Sequence, residues 1–474
     1  MIKKLAFISI LIPLLFSLAQ SQTITTKSKE ALELFKQAQD KIDNYLTTEV
    51  LPDLEQAVKL DKNFALAWSV LSAVYSTMGD SIKAKEAFEK AKKLAPKVTE
   101  YEKMRISIRE ASLANNNERV FEIIKQMAEK FPEDKRALYI YGNQLFNLKR
   151  KPEQAIELYN KVVAIDPNYS PVYNMLGYAY ASMGKFDKSL EALGKYVELL
   201  PDHFNPHDSY GEILLTVGRY DEALKHFKKA YELKPNVYFV HKHIANTSSA
   251  QGSYKEAKEH FQKALAVAQN DGEKGDAHYE LALIAKALGN WEETKKEAEL
   301  CSSLDPERPC PHEILMDFYL DQNKLEEAKI EANKVREKIA KWTKEPDEDI
   351  FVLSVKAKLL AAEKNYDGAI PLLLKGMEKA GSFEELYYRL ELAKVYFDKK
   401  DYDNAIAELN KALLINPNNF EIRLLLAKSY GKKKGEKEKA KAEFNKVLEI
   451  LANADEGVKP VAEAKENLKK LGVK

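Results

Sequence analysis

Histidine is the residue whose spacing in this sequence comes closest to that of a metal site. Six of the eight histidines occupy only two places in a pattern that recurs along the chain. One place holds His207, His241, His278 and His312, and the other holds His226 and His260. Equivalent residues of stacked helical repeats lie about 8–10 Å apart, whereas zinc needs each ligand nitrogen at about 2 Å. We therefore expect rings packed between helices, and no metal site.

One dipeptide begins like a catalytic motif. His312 and Glu313 match the start of the zinc-protease pattern His-Glu-x-x-His, but Met316 stands where the second histidine is required. The sequence also contains no Gly-x-Ser-x-Gly, Walker loop or Gly-x-Gly-x-x-Gly pattern. We therefore predict no catalytic residue and no cofactor.

The segment His203–Asp208 (HFNPHD) is rich in possible metal ligands but lacks their helical spacing. We interpret it as a helix start, in which Asn205 is the cap and Pro206 takes the first helical position. The Asp208 carboxylate then lies near the positive end of the helix dipole. A metal site is the alternative.

The two cysteines, Cys301 and Cys310, are too few for a four-thiolate zinc site or an iron–sulfur cluster. They flank one turn, nine residues apart, so an oxidising compartment could join them. The sequence does not give the distance between the two cysteines, on which a disulfide depends. Two independent thiols are the favoured interpretation, and a disulfide stays open.

The charge balance argues against a nucleic-acid partner. The 474 residues include 74 Lys and Arg against 73 Asp and Glu, for a net charge of +1. The isoelectric point of about 7.6 leaves no broad basic surface. The local run Lys432–Lys437 is mixed with glutamate and is expected to be a solvated turn.

The first 19 residues have the features of an export signal. Two lysines precede an apolar run, Leu5–Leu18, whose length matches the ~7–15 residues of a signal core. A bilayer span needs about 18 residues. We predict cleavage after Ala19, so that Gln20 becomes the first residue. Cleavage after Ser21 and an uncleaved membrane anchor are the alternatives.

The rest of the sequence repeats about every 34 residues. Prolines mark the period at Pro96, Pro132, Pro167, Pro201 and Pro235. The segment Ala65–Val98 shows the pattern at repeat positions 4, 7, 8, 11, 20, 24, 27 and 32. The residues there are Trp68, Leu71, Ser72, Tyr75, Ala84, Phe88, Ala91 and Pro96. This pattern resembles the tetratricopeptide repeat (TPR).

Small residues at positions 8, 20 and 27 allow helices to approach closely, and large residues fill the space beside them. Alanine recurs at position 20 in eight copies. They are Ala84, Ala155, Ala223, Ala257, Ala328, Ala369, Ala405 and Ala440. We expect these alanines to be buried, with Ala223 and Ala257 fully buried.

The resemblance implies an all-α fold: a TPR α-solenoid of about twelve helix pairs in a right-handed superhelix, with helix pairs throughout residues 30–454 and no β-sheet. We predict a signal peptide at 1–19, a short leader at 20–30 and a capping helix at 455–474. Between them lie about nine repeats at 31–342, a linker at 343–349 and about three repeats at 350–454.

The resemblance also implies a binding groove. In stacked repeats of this kind the first helix of each pair lines the inner wall, and its positions 2, 5, 9 and 12 point into the groove. In the middle copies the residues at positions 5 and 9 are Tyr139, Asn143, Asn174, Tyr178, Asp208, Glu212, Lys242 and Asn246. Their amides, carboxylates and phenols could bind an extended peptide, with Tyr139 and Tyr178 facing water. The alternative is that these eight residues are solvated polar side chains without a binding role.

Lys242 and Asn246 match one part of the two-carboxylate clamp of chaperone-binding relatives. Glu280 and Cys310 stand where Asn and Lys would be required, so that activity is not expected here. The overall prediction is an exported, non-enzymatic scaffold in the periplasm or cell envelope. It would bind a protein or peptide, with no membrane span in the mature chain. A glycan-binding or other ligand-binding protein of the envelope is the alternative.

Overall fold

A computed structural model describes residues 24–44 and 49–472. Over these residues the chain forms 25 α-helices and no strand, with 79% of the chain helical. The predicted all-α architecture is confirmed. The predicted signal peptide lies outside the described residues.

The helices form twelve antiparallel pairs followed by a single helix. The first helices of the pairs are α1 (Lys29–Asp43), α3 (Ala65–Thr77), α5 (Glu100–Leu113), α7 (Lys135–Asn147), α9 (Ser170–Ser182), α11 (Phe204–Thr216), α13 (Tyr238–Ala250), α15 (Asp271–Leu288), α17 (Cys310–Asp321), α19 (Ile350–Ala362), α21 (Ser382–Asp398) and α23 (Phe420–Lys432).

The second helices are α2 (Leu51–Leu60), α4 (Ser81–Leu94), α6 (Asn117–Lys130), α8 (Pro152–Ile165), α10 (Phe186–Leu199), α12 (Tyr220–Leu233), α14 (Tyr254–Val267), α16 (Trp291–Leu304), α18 (Leu325–Ala340), α20 (Tyr366–Lys379), α22 (Tyr402–Ile415) and α24 (Lys437–Ile450). The last helix is α25 (Lys459–Lys470).

The position-20 alanines lie where the two helices of a pair cross. Ala223 and Ala257 are 0% exposed, as predicted, and the other six are also buried. Large side chains fill the space around them: Phe227 and Phe261, four residues further along, are fully buried too. Because a larger side chain at the crossing would separate the helices, this position determines how closely each pair packs.

The chain divides into two compact units, residues 1–172 and 173–474. In the first unit, the end of the predicted leader is held against the repeats. The Thr25 hydroxyl donates to Glu102 at 2.6 Å, and the Thr26 hydroxyl donates to Asp61 at the same distance. Glu102 is completely buried. These bonds tie the residues before α1 to α5 and to the turn after α2.

In the second unit, loops near the C-terminus contact turns about 200 residues earlier. The Asn418 side chain donates to the Gly218 carbonyl at 3.0 Å, and the Asp455 amide donates to the Gly252 carbonyl at 3.1 Å. Val458 is buried in a cluster that includes Tyr254. We call this contact between residues 218–255 and 416–458 the seam.

The approach at the seam is close. Gly252 has a φ of +76°, and a Cβ there would lie 2.7 Å from the Cβ of Ala454. Glycine thus serves both the left-handed turn after α13 and the contact with the C-terminal loop.

The predicted linker 343–349 lies inside the second unit, where charged side chains hold it. Asp347 accepts from Arg336 at 2.8 and 2.7 Å and from Lys356 at 2.5 Å. At the C-terminus, α25 buries Ala464 and Leu468 against α23 and α24.

A candidate binding wall on the first helices

The histidines pair within a repeat. His207 Nδ1 lies 3.1 Å from His226 Nδ1, while His207 Nε2 lies 2.8 Å from the Pro201 carbonyl. His241 and His260 form the same arrangement one repeat later, with Nδ1 atoms 3.3 Å apart. Burial lowers the pKa of both His226 and His260 to about 4, so these rings are neutral at pH 7.

In the next two repeats a glutamate replaces the second histidine. His278 Nδ1 lies 2.6 Å from Glu297, and His312 Nδ1 lies 2.7 Å from Glu331. All four pairs join residues 19 positions apart. This spacing is visible in the sequence, where it predicts the pairing as well as the packed rings. Among the described residues, no three His, Cys, Asp or Glu side chains are grouped as a metal site would require.

The helix start at His203–Asp208 differs in detail from the prediction. His203 is the cap residue and Phe204 the first helical residue, and no side chain caps α11. Asn205 was wrongly predicted as the cap: it lies inside the first turn, and its amide donates to the Tyr196 hydroxyl at 3.1 Å. The Asn205 side chain therefore bonds to a tyrosine of the preceding repeat and does not cap its own helix.

The two cysteines are free thiols. Cys301 is fully buried on α16, and burial raises its pKa to about 12. Cys310 is partly exposed at the start of α17. The disulfide that the spacing left open is therefore not formed.

Two of the eight candidate groove residues lie in the first unit. Tyr139 is 8% exposed, and its ring packs edge-on against Tyr169 at 5.4 Å. The expectation that Tyr139 faces water is wrong, because the Tyr169 ring, in the turn before α9, covers it. The Asn143 amide oxygen accepts from the Tyr159 hydroxyl at 2.8 Å. Both residues thus take part in packing between α7 and its neighbours.

The other six candidates lie in the second unit, on α9, α11 and α13. The Tyr178 hydroxyl donates to Glu212 at 2.7 Å, which joins two predicted residues of neighbouring repeats. Tyr178 and Glu212 are both partly exposed. Asn174 is 2% exposed, and its side-chain oxygen has no hydrogen-bond partner.

Asp208 is paired with a residue that the sequence did not single out. His243 Nδ1 lies 2.9 Å from its carboxylate, and the Asp208 side chain is only 5% exposed. Burial by itself would lower the pKa of His243, but the Asp208 carboxylate outweighs it and holds that pKa above its usual value.

Lys242, on α13, forms the next charge pair along these first helices. Its ammonium lies 2.6 Å from Asp276 and 3.9 Å from Glu280. Asp276 also accepts from the Tyr238 hydroxyl at 2.9 Å. Asn246 bonds to Glu280, whose pKa is raised by burial.

Later repeats extend this row, with Glu313, Asp317 and Lys358 at positions 5 and 9 of their copies. Lys358 lies 2.7 Å from Glu313 and 3.6 Å from Asp317. The Tyr387 hydroxyl donates to Glu313 at 3.0 Å. Positions 5 and 9 of the later copies would have predicted Glu313, Asp317 and Lys358, since the register is the same. We call this row of paired side chains on α9, α11, α13, α15, α17, α19 and α21 the inner wall of the second unit.

The inner wall borders a cavity of about 280 Å³ beside the seam. Asn246 and Glu280 from the wall line it together with Tyr220, Phe420 and Glu421. Phe420 and Glu421 begin α23, on the C-terminal side of the seam. The seam thus brings a second set of side chains to the wall.

Comparison with known families supports the repeat pattern directly. Profiles described as "Tetratricopeptide repeat" match residues 65–98, 122–170, 158–191 and 420–451, and one described as "TPR repeat" matches residues 393–434. The chain is a tetratricopeptide-repeat protein. A profile described as "Regulator of microtubule dynamics protein 1-3" matches residues 210–289 of the TPR array.

Comparison with curated protein sequences gives no match. Among solved structures, yeast Tom70 has 16% identity and a TM-score of 0.40, covering 94% of this chain and 96% of its own. The Cut9–Hcn1 tetramer of the APC/C has 17% identity and a TM-score of 0.42, covering 84% of each chain. MamA has 20% identity and a TM-score of 0.31, covering 35% of this chain and 89% of its own. No function or partner follows from these values.

The TPR fold is typical of protein–protein interaction scaffolds, and TPR scaffolds are generally non-enzymatic. Within the described part of the chain, none of the helices has the length and apolar character that crossing a bilayer demands.

Proposed function

We propose that this TPR protein is an exported, non-enzymatic scaffold and that the inner wall of its second unit binds a protein or peptide. The observation that carries the proposal is the continuity of the wall. From Tyr178 to Lys358, polar side chains of successive first helices bond to one another while many remain partly exposed.

The chemistry of the wall favours an extended polar segment. Carboxylates, a lysine ammonium and an amide alternate along it, so a bound backbone would meet acceptors and donors in turn. Because the wall's own charges are paired, a strongly charged partner would gain little, and near-neutral segments fit best.

Site-specific photocrosslinking tests the location. A benzoylphenylalanine replaces Asn246 on the inner wall, and in a matched variant it replaces Ile330, which is 55% exposed on α18. The full chain is irradiated in its native cell extract. We expect one reproducible adduct from position 246 that is absent at position 330. Equal adducts at both positions, or none at 246, would contradict the proposed wall.

The partner identified in this way permits an energetic test. Tyr178→Ala should weaken its binding by about 1–3 kcal/mol, as expected for an aromatic side chain at a contact centre. Tyr139→Ala is a useful comparison, because Tyr139 is buried in the first unit and should affect stability rather than affinity.

Export is tested separately. We expect the mature protein to begin near Gln20, as determined by N-terminal sequencing of protein purified from its native source. An intact Met1 on membrane-extracted protein would contradict cleavage and would favour the membrane anchor.

A further inference from the structure

The first unit contains a cavity of about 390 Å³ between the inner faces of α1, α3, α5 and α7. Its lining is partly apolar. The apolar residues include Ile42, Leu66, Val70, Ile108 and Ile140. Three arginines, Arg105, Arg109 and Arg136, also line it. A cavity of this volume is large enough for a small organic molecule.

Arg105 forms no ion pair among the described residues. Its terminal nitrogens lie 3.0 Å from the side-chain oxygen of Gln39, with that amide turned toward them, and its guanidinium lies 5.9 Å from the Tyr101 ring centre. Burial lowers the pKa of Arg105. Its charge is therefore desolvated with only neutral groups in direct contact.

Arg109 lies one helical turn further along α5 and has the same character. Its guanidinium donates to the hydroxyl and the carbonyl of Ser72 at 2.9 Å each, and to the hydroxyl of Ser76. All three acceptors are neutral. Burial lowers the pKa of Arg109 as well.

Arg136 is the one arginine of the three with a carboxylate partner. Its two terminal nitrogens each lie 2.7 Å from an oxygen of Asp43. Its Nε is buried and has no hydrogen-bond partner. That nitrogen has almost no accessible surface, so it does not face a ligand in the cavity.

The charges around the cavity do not cancel. Asp43 is the single acid among the lining residues, against three arginines. Asp134 lies outside the lining, where it accepts from the Ala137 amide at 2.7 Å, and its charge favours the charged form of Arg105. The lining residues by themselves therefore have an excess of two positive charges, which a bound anion would help to neutralise.

We propose that this cavity binds an organic carboxylate with an apolar body. The carboxylate accepts hydrogen bonds from Arg105 and Arg109, since planar guanidinium groups match its two oxygens. The apolar body lies against α3 and the isoleucines of α5 and α7. The apolar lining favours an organic acid over an inorganic anion. The carboxylate belongs either to a free monocarboxylic acid or to the C-terminus of a peptide with an apolar last residue.

Calorimetric titration of the full-length protein with octanoate tests the proposal. Octanoate should bind, and octanamide, which has the same body without the charge, should not. Arg109→Met should weaken octanoate binding about tenfold or more, because a hydrogen bond to a charged group is lost. Arg119→Met, an exposed arginine on α6, should leave it unchanged.

A peptide arm separates the two sources of the carboxylate. A short peptide ending in leucine is titrated as the free acid and as the amide. Tighter binding of the free-acid peptide than of octanoate assigns the site to a protein terminus, and the reverse assigns it to a small acid. Equal binding of octanoate and octanamide, or no binding of either acid, would overturn the proposal.

Folding controls keep the result interpretable. Each variant's unfolding midpoint is measured without ligand, and Arg105→Lys provides a second variant that keeps the charge. Arg105→Lys should retain part of the octanoate affinity that Arg105→Met loses. Equal affinity of wild type and a folded Arg109→Met variant would also overturn the site. The inner wall of the second unit is not involved, so this result is independent of the proposed scaffold function.

Discussion

The first helices of the two units carry charge in different ways. In the first unit, Arg105 and Arg109 donate to neutral groups around a cavity. In the second unit, Lys358 lies between two carboxylates, Glu313 and Asp317. Both sets occupy positions 5 and 9 of a repeat. The repeat therefore determines which positions meet, and the side chains of the neighbouring repeat decide whether a charge is paired or left for a ligand.

The largest expected effect concerns that pairing. Lys358→Met should lower the free energy of unfolding by about 3–5 kcal/mol, because it leaves the buried Glu313 carboxylate without a cation, although Asp317 keeps Lys286. Arg105→Met should change it by less than about 1 kcal/mol, since no carboxylate loses a partner. Equilibrium urea denaturation measures both. Similar losses in the two variants would remove the contrast between the units.

The helix crossings of the two units should respond alike to overpacking. Ala84→Leu in the first unit and Ala223→Leu in the second should each cost about 1–3 kcal/mol through overpacking of the helix crossing. Ala442→Leu, at an exposed position of α24, is the control and should be nearly neutral. A clear difference between the two buried sites would mean that the units differ in their cores as well as on their inner faces.

Two glycines with similar backbone conformations, one in each unit, provide a test of the seam. Gly79 in the first unit has a φ of +81° and no heavy atom within 4 Å of an added Cβ. Gly252 has nearly the same φ but lies against Ala454. Gly252→Ala should therefore cost about 1 kcal/mol more than Gly79→Ala. Hydrogen exchange at residues 453–458 should speed up in the former variant; equal costs and unchanged exchange would count against the seam.

Sequence predicts the parts of this molecule that depend on the repeat period. Ala223 and Ala257 are buried as predicted because position 20 always meets a helix crossing. Tyr139 is not exposed, because the neighbouring Tyr169 covers it, and a single-repeat pattern contains no information on that contact. The seam joins residues about 200 positions apart, and its formation depends on the accumulated rotation of several repeats.

The repeat pattern did not predict the arginine cavity, and the reason here is different. Arg105 and Arg109 occupy positions 5 and 9 of the third copy, one repeat before the middle copies that supplied the predicted groove residues. Their chemistry also depends on Gln39 and Asp43, which both lie on α1, two repeats earlier. Positions 5 and 9 of the early copies would have identified the arginines, although not the absence of matching acids.

The smallest expected effect is a change in pH dependence within the second unit. The pKa of His243 is raised by Asp208, so this pair stabilises the fold below the unfolded-state pKa of about 6.5 and loses its contribution as the pH rises through the folded-state value. The pKa values of His226 and His260 are lowered to about 4, so their contribution is present above about 6.5 and is lost on acidification.

Asp208→Asn should remove the loss of stability that occurs as the pH rises through the folded-state pKa of His243. It should leave the loss of stability on acidification, which comes from His226 and His260, unchanged. The unfolding midpoint measured across this pH range checks the prediction. An unchanged alkaline slope in Asp208→Asn would show that the His243 pair does not control it.

Hydrogen–deuterium exchange with saturating octanoate tests the contrast between the units most directly. Octanoate should slow amide exchange in α1 and α5, which border the arginine cavity, and leave α11, α13 and α19 of the second unit unchanged. Equal protection of the inner helices of both units, or no protection in α1 and α5, would contradict the account.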